Sequence, residues 1–209
     1  VLRLLSIVAL VATVGVVDAR AQRLEAGVHA AVAQWSEFKG DDAGVGARLT
    51  FTLTPLLGVD AEATWYPSSF PPDTIAAFSG RRVEGLFGIS VGPRIARLRP
   101  FAKAAAGFLK IGETPRVFAC IAIYPPPLNC TLAGGQTLPA YELGGGLQVD
   151  ATSRTFLRID ASRRFLKYPG PALTADRQMR RDDFLGGALR LTLGAGIRFQ
   201  ALGTRRRAP

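Results

Sequence analysis

Apolar residues alternate with polar residues or glycines over most of this sequence, and near the C-terminus the alternation is almost unbroken. There the apolar positions are Leu189, Leu191, Leu193, Ala195, Ile197 and Phe199, and between them stand Arg190, Thr192, Gly194, Gly196 and Arg198. Only an extended strand places alternate residues on opposite faces. The same period of two recurs upstream and predicts eight strands, at residues 23–35, 43–54, 57–66, 82–95, 99–111, 139–150, 154–167 and 184–199.

The connections between the predicted strands alternate between short and long. Short turns lie around residues 54–56, 97–100 and 151–153, whereas longer segments lie near residues 36–42, 67–81, 112–138 and 168–183. Tight turns at one end and long loops at the other are typical of an up-and-down barrel. The predicted fold class is therefore all-β, an eight-stranded antiparallel up-and-down barrel. Its strands are long enough to cross a bilayer, for which a tilted strand needs about 9–11 residues.

The content of the polar face separates a membrane barrel from a soluble one. A soluble ligand-binding barrel has an apolar interior, whereas a membrane barrel has an apolar exterior. Here the polar face combines many glycines with acids and bases, namely Glu25, Asp60, Glu62, Glu84, Glu142, Asp160, Arg48, Arg82, Lys103, Arg158, Arg190 and Arg198. In a narrow lumen, glycines make room for long charged neighbours that pair with one another. The pattern favours a transmembrane barrel with a charged, side-chain-filled lumen, and a soluble periplasmic barrel is the alternative.

Aromatic residues cluster near the ends of the predicted strands. Toward the long loops lie Trp35, Trp65, Tyr66, Tyr141, Tyr168 and Phe184, and toward the short turns lie Phe51, Phe101 and Phe199. Membrane barrels carry girdles of aromatic residues at both bilayer interfaces. We therefore expect these residues to form two girdles on the outer face of the barrel, although aromatic residues also favour strands in general.

The N-terminal residues differ from the rest of the chain. Arg3 precedes an apolar run over residues 4–17, and Ala19 and Ala21 are small residues at the positions that a signal peptidase reads. An uncleaved anchor helix is the alternative, but the run is shorter than the ~20 residues of a membrane span. The sequence thus predicts three parts: a signal peptide over residues 1–21 cleaved after Ala21, a barrel over 22–199, and a basic tail over 200–209.

The predicted barrel resembles the small outer-membrane barrels of the OmpA-type transmembrane domain and the OmpX group. The resemblance rests on the eight-strand alternation and on a last strand that ends in the aromatic residue Phe199. It implies that Phe199 belongs to the signal read by the barrel-assembly machinery, here followed by residues 200–209 instead of standing at the C-terminus. It also implies an outer-membrane location, with four long loops outside the cell. No peptidoglycan-binding domain follows, so a wall-anchoring role is not expected.

The remaining candidate sites are few. Cys120 and Cys130 lie in the longest loop, and an oxidising compartment favours a disulfide between them. His29 falls on the lumen face, where a packed residue is the ordinary interpretation. Barrels that modify lipid A use a histidine with a serine and an acid, so an acyltransferase or deacylase is the alternative, although no matching local signature is present. We expect no enzymatic activity, cofactor or metal site.

The predicted partners follow from the location and the charge. The formal net charge of +10 is scattered along the chain except for Arg205–Arg207, so nucleic acid is not an expected partner. Bases near the long-loop end could pair with lipopolysaccharide phosphates, or could be ordinary solvated charges; they are Lys39, Arg81, Lys110, Arg116, Lys167, Arg177, Arg180 and Arg181. We expect a monomer in contact with outer-membrane lipid and lipopolysaccharide.

Overall fold

Eight long antiparallel strands close into a barrel in the computed structural model, which describes residues 23–35, 40–67, 81–113, 124–132, 134–174 and 178–200. They are β1 (Arg23–Trp35), β2 (Gly40–Thr52), β3 (Leu57–Tyr66), β4 (Arg82–Val91), β5 (Leu98–Ile111), β6 (Gln136–Asp150), β7 (Thr155–Tyr168) and β10 (Phe184–Gln200). Each strand pairs with its neighbour in the chain, and β1 pairs with β10 from Arg23 opposite Gln200 to Trp35 opposite Ala188. The predicted all-β, eight-stranded antiparallel barrel is confirmed.

The observed strand ends differ from the predicted ones where the alternation of apolar residues fades. β2 begins at Gly40 and not at residue 43, so the connection from β1 spans only residues 36–39. β6 also begins earlier, at Gln136, whereas β4 ends at Val91. Backbone pairing extends β2 and β6 beyond the apolar pattern, because hydrogen bonding to a neighbouring strand does not require an apolar side chain.

Two of the long connections contain structure that the alternation does not predict. A short helix, α1 (Leu128–Leu132), lies before β6. Two antiparallel strands of two residues each, β8 (Ala172–Leu173) and β9 (Met179–Arg180), lie before β10. Pro127 forms a bridge with Leu173, which ties the two segments together. At the opposite end the turns are tight, and the Thr54 and Thr152 hydroxyls accept hydrogen bonds from backbone N–H groups three residues on.

The barrel is apolar outside and polar inside. Large exposed apolar side chains surround it at mid-height, including Val28, Leu49, Phe87, Leu143, Ile159 and Leu193. The alternate positions of the same strands are buried and carry most of the charges. Among the described residues, no helix is both long and apolar enough to cross a membrane. The barrel wall therefore presents its apolar surface outward, which is the reverse of a soluble barrel.

Candidate functional site in the barrel lumen

The lumen contains three zones along the barrel axis. The short-turn mouth comprises Arg23, Glu25, Thr52, Arg94, Arg99, Asp150 and Arg198. The central charge cluster comprises Arg48, Glu62, Lys103, Glu142, Asp160 and Arg190. The apolar plug, at the long-loop end, comprises Leu109, Leu128, Leu132, Leu138, Leu166, Tyr168 and Ala172. All twelve charged residues of the predicted luminal network are buried. The structure places two of them in the mouth, six in the central charge cluster, and Arg82 and Glu84 next to the apolar plug, while Asp60 and Arg158 lie between the mouth and the cluster.

The central charge cluster is a closed network of short ion pairs. Lys103 Nζ lies 2.5 Å from a Glu142 oxygen and 2.6 Å from an Asp160 oxygen. Arg190 Nη1 lies 3.0 Å from Glu142 and 3.1 Å from Glu62. Arg48 bridges the ring, with Nε 2.8 Å from Glu62 and Nη2 3.0 Å from Asp160.

These contacts join strands that are not neighbours in the sheet. Arg48 lies on β2 and its partner Asp160 lies on β7, and Arg190 of β10 reaches Glu62 of β3. Because each carboxylate faces at least one cation, burial of the charges is offset within the lumen. The cluster therefore crosslinks opposite walls and fills the middle of the barrel.

Several glycines in the strands beside the central charge cluster leave no room for a Cβ. A Cβ on Gly46 would lie 2.2 Å from the Ala63 carbonyl oxygen and 2.7 Å from the His29 ring. A Cβ on Gly144 or Gly146 would meet the backbone of β7 at 2.4 and 2.1 Å. The strand faces beside the central cluster are thus too close to their neighbours for a side chain at these positions.

Arg164 forms the layer between the central cluster and the apolar plug. Its Nη1 lies 2.7 Å from Glu84 and donates a 3.2 Å hydrogen bond to Tyr66 Oη, while its guanidinium stacks 4.4 Å above the Trp35 ring. In the same layer Arg82 pairs with Asp42 at 2.8 Å. Sequence reasoning missed Arg164 and Asp42. Arg164 shares the parity of Arg158 and Asp160, which was sufficient to find it, whereas Asp42 lay in a predicted loop.

The aromatic residues do not form the predicted girdles as a whole. Trp65, Tyr141, Phe51 and Phe199 are exposed on the outer face, as expected. Trp35, Tyr66, Tyr168 and Phe101 instead face the lumen, where Arg158 stacks 4.0 Å above the Phe101 ring. The girdle prediction was wrong for these four, and for Phe184, which is half-buried beside Tyr168. It used distance from the strand end and ignored the parity that fixes the face.

The apolar plug closes the long-loop end of the lumen. Leu128 and Leu132 of α1 pack with Ala172 of β8 against Leu138 and Tyr168 of the wall, and all five are buried. This end of the lumen is therefore apolar, in contrast with its charged middle. The residues of α1 and β8 show no strand alternation of their own. Their packing into the lumen depends on contacts between distant segments and could not be predicted from a local pattern.

The short-turn mouth contains more arginines than carboxylates. Arg198 lies 2.7 Å from both Glu25 and Asp150, and Gln148 donates a 3.2 Å hydrogen bond to Glu25. Arg94, in the turn between β4 and β5, approaches the same two acids only to 3.7 and 3.5 Å. Burial lowers the pKa of the Arg94 guanidinium, and the neighbouring positive charge of Arg198 lowers it further.

His29 lies in the lumen wall with a single described hydrogen-bond partner. Its Nε2 lies 3.0 Å from the Thr64 hydroxyl, which also accepts a 2.9 Å hydrogen bond from Arg190. The residue is 5% exposed. On the outer side, an apolar groove lined by Val28, Val45, Leu157 and Leu193 reaches the wall at His29, where Gly46 and Gly194 make it thin.

The bases near the long-loop end are solvent-exposed where they are described. They are Arg81, Lys110, Lys167, Arg180 and Arg181. Lys167 pairs with Asp183 at 3.0 Å, and this ammonium holds the pKa of the Asp183 carboxyl below its usual range.

Several predicted features fall wholly or partly outside the described residues. Among the bases these are Lys39, Arg116 and Arg177. Cys130 lies in α1, but Cys120 does not belong to the described residues, so the disulfide stays a prediction. The signal peptide over residues 1–21, with its cleavage after Ala21, and the tail after Gln200 also lie outside. Phe199 lies exposed at the end of β10, opposite Leu24.

Solved structures similar to this chain include several small outer-membrane barrels. Neisserial surface protein A is 12% identical, with a TM-score of 0.52, and the alignment covers 86% of this chain and 97% of that chain. OprG of Pseudomonas aeruginosa is 11% identical (TM-score 0.49, 87% and 97% covered), and the N-terminal β-barrel domain of P. aeruginosa OprF is 15% identical (0.46, 84% and 97%). No family model and no curated protein sequence matches the chain. The chain has the fold of the small eight-stranded outer-membrane barrels, as the sequence resemblance implies.

Proposed function

We propose that this chain resides in a bacterial outer membrane and acts there as a non-enzymatic barrel, through its structure and through the four connections at its long-loop end. The observation that carries the proposal is the inverted surface of the barrel. Apolar side chains such as Val28, Phe87 and Leu193 are more than 60% exposed, whereas fifteen charged residues of the described part of the chain are buried. Such an exterior is unfavourable in water and is stabilised by lipid.

A closed lumen supports a structural role over a transport role. An eight-stranded barrel has an interior that side chains fill. Here the central charge cluster crosslinks opposite walls, and the apolar plug covers the long-loop end. We expect no steady conductance when the purified protein is inserted into a planar bilayer. Stepwise openings at low voltage would contradict the structural role.

The long-loop end supports an interaction role at the cell surface. Exposed bases gather there, among them Arg81, Lys110, Arg180 and Arg181. Guanidinium groups pair well with the phosphates of lipopolysaccharide, which lies in the outer leaflet. In this arrangement the short turns face the periplasm, where the barrel-assembly machinery would meet the chain during biogenesis.

The first test separates the membrane barrel from a soluble one. Outer-membrane fractions of expressing cells are analysed by gel electrophoresis with and without boiling. We expect the protein in this fraction, with faster mobility when it is not boiled, because a closed barrel survives detergent in compact form. Recovery in the soluble fraction, with no shift in mobility, would overturn the proposed location.

Orientation is tested by labelling single cysteines from outside intact cells. In a background with Cys120→Ser and Cys130→Ser, Arg180→Cys at the long-loop end should react with a membrane-impermeant maleimide. Arg97→Cys in a short turn should react only after the outer membrane is permeabilised. The reverse pattern would place the short turns outside.

A lipid-modifying enzyme is the second candidate, and the apolar groove beside His29 is the observation that favours it. The groove could hold an acyl chain, but His29 itself is buried and bonded to Thr64. Lipid A from cells that express the wild type, His29→Ala or no protein should have the same mass spectrum. A species that the wild type produces and His29→Ala does not would establish enzymatic activity.

A further inference from the structure

Arg99 is the exception among the buried arginines of the lumen. The other buried arginines that the structure describes each lie within 4 Å of a carboxylate, namely Arg48, Arg82, Arg158, Arg164, Arg190 and Arg198. Arg99 is only 4% exposed, yet its side chain makes no hydrogen bond or ion pair with any described residue. A buried guanidinium without a partner is unfavourable unless something else offsets its charge.

A cavity lies beside this unpaired guanidinium. It has a volume of about 160 Å³ and is lined by Arg23, Thr52, Pro55, Arg94 and Arg99. A single water needs only about 10–15 Å³ measured in this way, so the cavity can hold a polyatomic ligand. Three of its five lining residues are arginines, and none is an acid.

A second buried polar group lies close to Arg99, although it does not line the cavity itself. A Cβ placed on Gly58 would lie 3.0 Å from the Ser90 hydroxyl oxygen and 3.5 Å from Arg99 Nη2, so both groups border the space beside Gly58. Ser90 is 1% exposed, and its hydroxyl also makes no hydrogen bond with a described residue. Thr52, on the neighbouring strand, is a further polar residue in the lining.

The two acids of the mouth are already engaged by Arg198. Glu25 and Asp150 both lie 2.7 Å from Arg198, which leaves Arg94 at longer distances from them. Asp60, the next acid along the lumen, faces Arg158 at 3.5 Å and accepts a hydrogen bond from the Thr50 hydroxyl. The mouth therefore holds four arginines against two acids, Arg23, Arg94, Arg99 and Arg198 against Glu25 and Asp150, and an anion would restore the balance.

We propose that the short-turn mouth is a binding site for a phosphate-class oxyanion, held by the Arg99 guanidinium together with Arg94 and Arg23. Phosphate offers several oxygens to the planar donor fork of arginine, and pairing with it would offset the buried charge of Arg99. The same chemistry is available from free inorganic phosphate and from a phosphorylated lipid headgroup. Both sources fit an opening at the end of the barrel wall.

Binding is measured on the whole mature protein refolded in a maltoside detergent, which carries no phosphate. Inorganic phosphate is titrated at constant ionic strength, with chloride as the balancing anion, and the unfolding temperature and ³¹P line width are recorded. We expect saturable broadening and a rise in unfolding temperature in the wild type. Arg99→Met should weaken the binding at least tenfold.

Two control variants keep the result interpretable. Arg97→Met removes an exposed arginine from the same end of the barrel and should bind phosphate as the wild type does. Arg99→Lys keeps a charge without the planar fork and should bind with intermediate affinity. Folding of each variant is checked by the mobility shift of the unboiled protein. The absence of phosphate binding in the wild type, or equal binding in Arg99→Met, would overturn the site.

A second arm distinguishes the two sources of the anion. Short-chain phosphatidic acid below its micelle concentration replaces inorganic phosphate in the same titration. At least tenfold tighter binding than that of inorganic phosphate would identify a lipid headgroup as the ligand, and equal affinity would identify the free oxyanion. The measurement is made in detergent, so its outcome does not depend on the proposed membrane location or surface role.

Discussion

The central charge cluster and the short-turn mouth lie in one lumen and use the same types of side chain, but they differ in how the charges are balanced. In the cluster, Arg190 lies within 3.8 Å of three carboxylates, those of Glu62, Glu84 and Glu142. In the mouth, Arg99 is also buried, yet no described carboxylate lies within ion-pair distance of it. The strands run through both zones, so the difference comes from the side chains alone.

The contrast separates two uses of a buried charge. A charge that is balanced by its own chain forms a fixed crosslink, and its removal leaves the partners uncompensated. A charge without an internal partner instead stores an unfavourable free energy that a bound anion can relieve. The cluster is therefore expected to determine stability, and the mouth is expected to determine binding.

The largest effect should come from Arg190→Met. The variant leaves Glu62, Glu84 and Glu142 without their shared cation, and the loss of one partner from a buried ion pair costs about 3–5 kcal/mol. We expect the free energy of unfolding in phospholipid vesicles to fall by this order, measured by guanidinium titration with tryptophan fluorescence. Arg97→Met, at an exposed turn position, should leave it unchanged. Equal stability of the two variants would show that the cluster does not hold the walls together.

A smaller effect is expected from two matched glycine substitutions. Gly46→Ala places a methyl group 2.2 Å from the Ala63 carbonyl oxygen beside the central cluster, whereas at Gly58 the nearest atom is the Ser90 hydroxyl oxygen at 3.0 Å, which can rotate away. Overpacking of a filled interior costs about 1–3 kcal/mol, so Gly46→Ala should lower the free energy of unfolding. Gly58→Ala should lower it much less. The same guanidinium titration compares them, and a greater loss for Gly58→Ala would mean that the mouth is packed as tightly as the cluster.

The arrangement of the wall is the part of the molecule that the sequence predicts well. A local period of two determines both where a strand forms and which of its side chains face the lumen. The strands β1 and β3 were therefore predicted with their observed bounds. The same period gives the inward face of Arg48, Lys103 and Arg190. Where distance from the strand end replaced the period, the predicted face was wrong for Trp35 and Tyr66.

The arrangement of partners inside the lumen could not be predicted in the same way. Arg48 and Asp160 are 112 positions apart in the chain, and their contact depends on how the barrel closes. Parity alone places both Arg99 and Lys103 on the lumen face. It does not reveal that Lys103 lies near three carboxylates and Arg99 near none. The apolar plug likewise depends on contacts between α1 and β8, which local patterns do not encode.

Arg99→Met should have the opposite sign to Arg190→Met in the absence of phosphate. The substitution removes an unpaired buried charge and fills its place with an apolar chain, which is neutral or stabilising. We expect the free energy of unfolding in phosphate-free buffer to stay the same or to rise by about 1 kcal/mol. The guanidinium titration is repeated in chloride buffer for both variants. A loss as large as that of Arg190→Met would mean that Arg99 has an internal partner and belongs to the fixed network.

The smallest effect is expected at the exposed ion pair of the long-loop end. This pair tests whether exposure to water makes an ion pair contribute less to stability than the buried pairs of the cluster do. Lys167 and Asp183 lie 3.0 Å apart, a distance like those inside the cluster, but both side chains are about half exposed. Exposed pairs contribute little because water screens them and the side chains lose freedom. Lys167→Met should therefore leave the free energy of unfolding unchanged within error at neutral pH, as should Lys110→Met, which removes an exposed base elsewhere.

The pair should nevertheless be visible in the titration of Asp183. The Lys167 hydrogen bond and the Gly170 backbone N–H hold the pKa of this carboxyl below its usual range. A lowered pKa in the folded state means that any stabilisation is present above the ordinary aspartate range and is lost as the pH falls through the lowered value. By carboxyl NMR, Lys167→Met should raise the pKa of Asp183, and Lys110→Met should not. A marked loss of stability in Lys167→Met would show that a short ion pair contributes similarly to the free energy of unfolding inside and outside the lumen. Burial would then not explain why the central charge cluster is expected to determine stability.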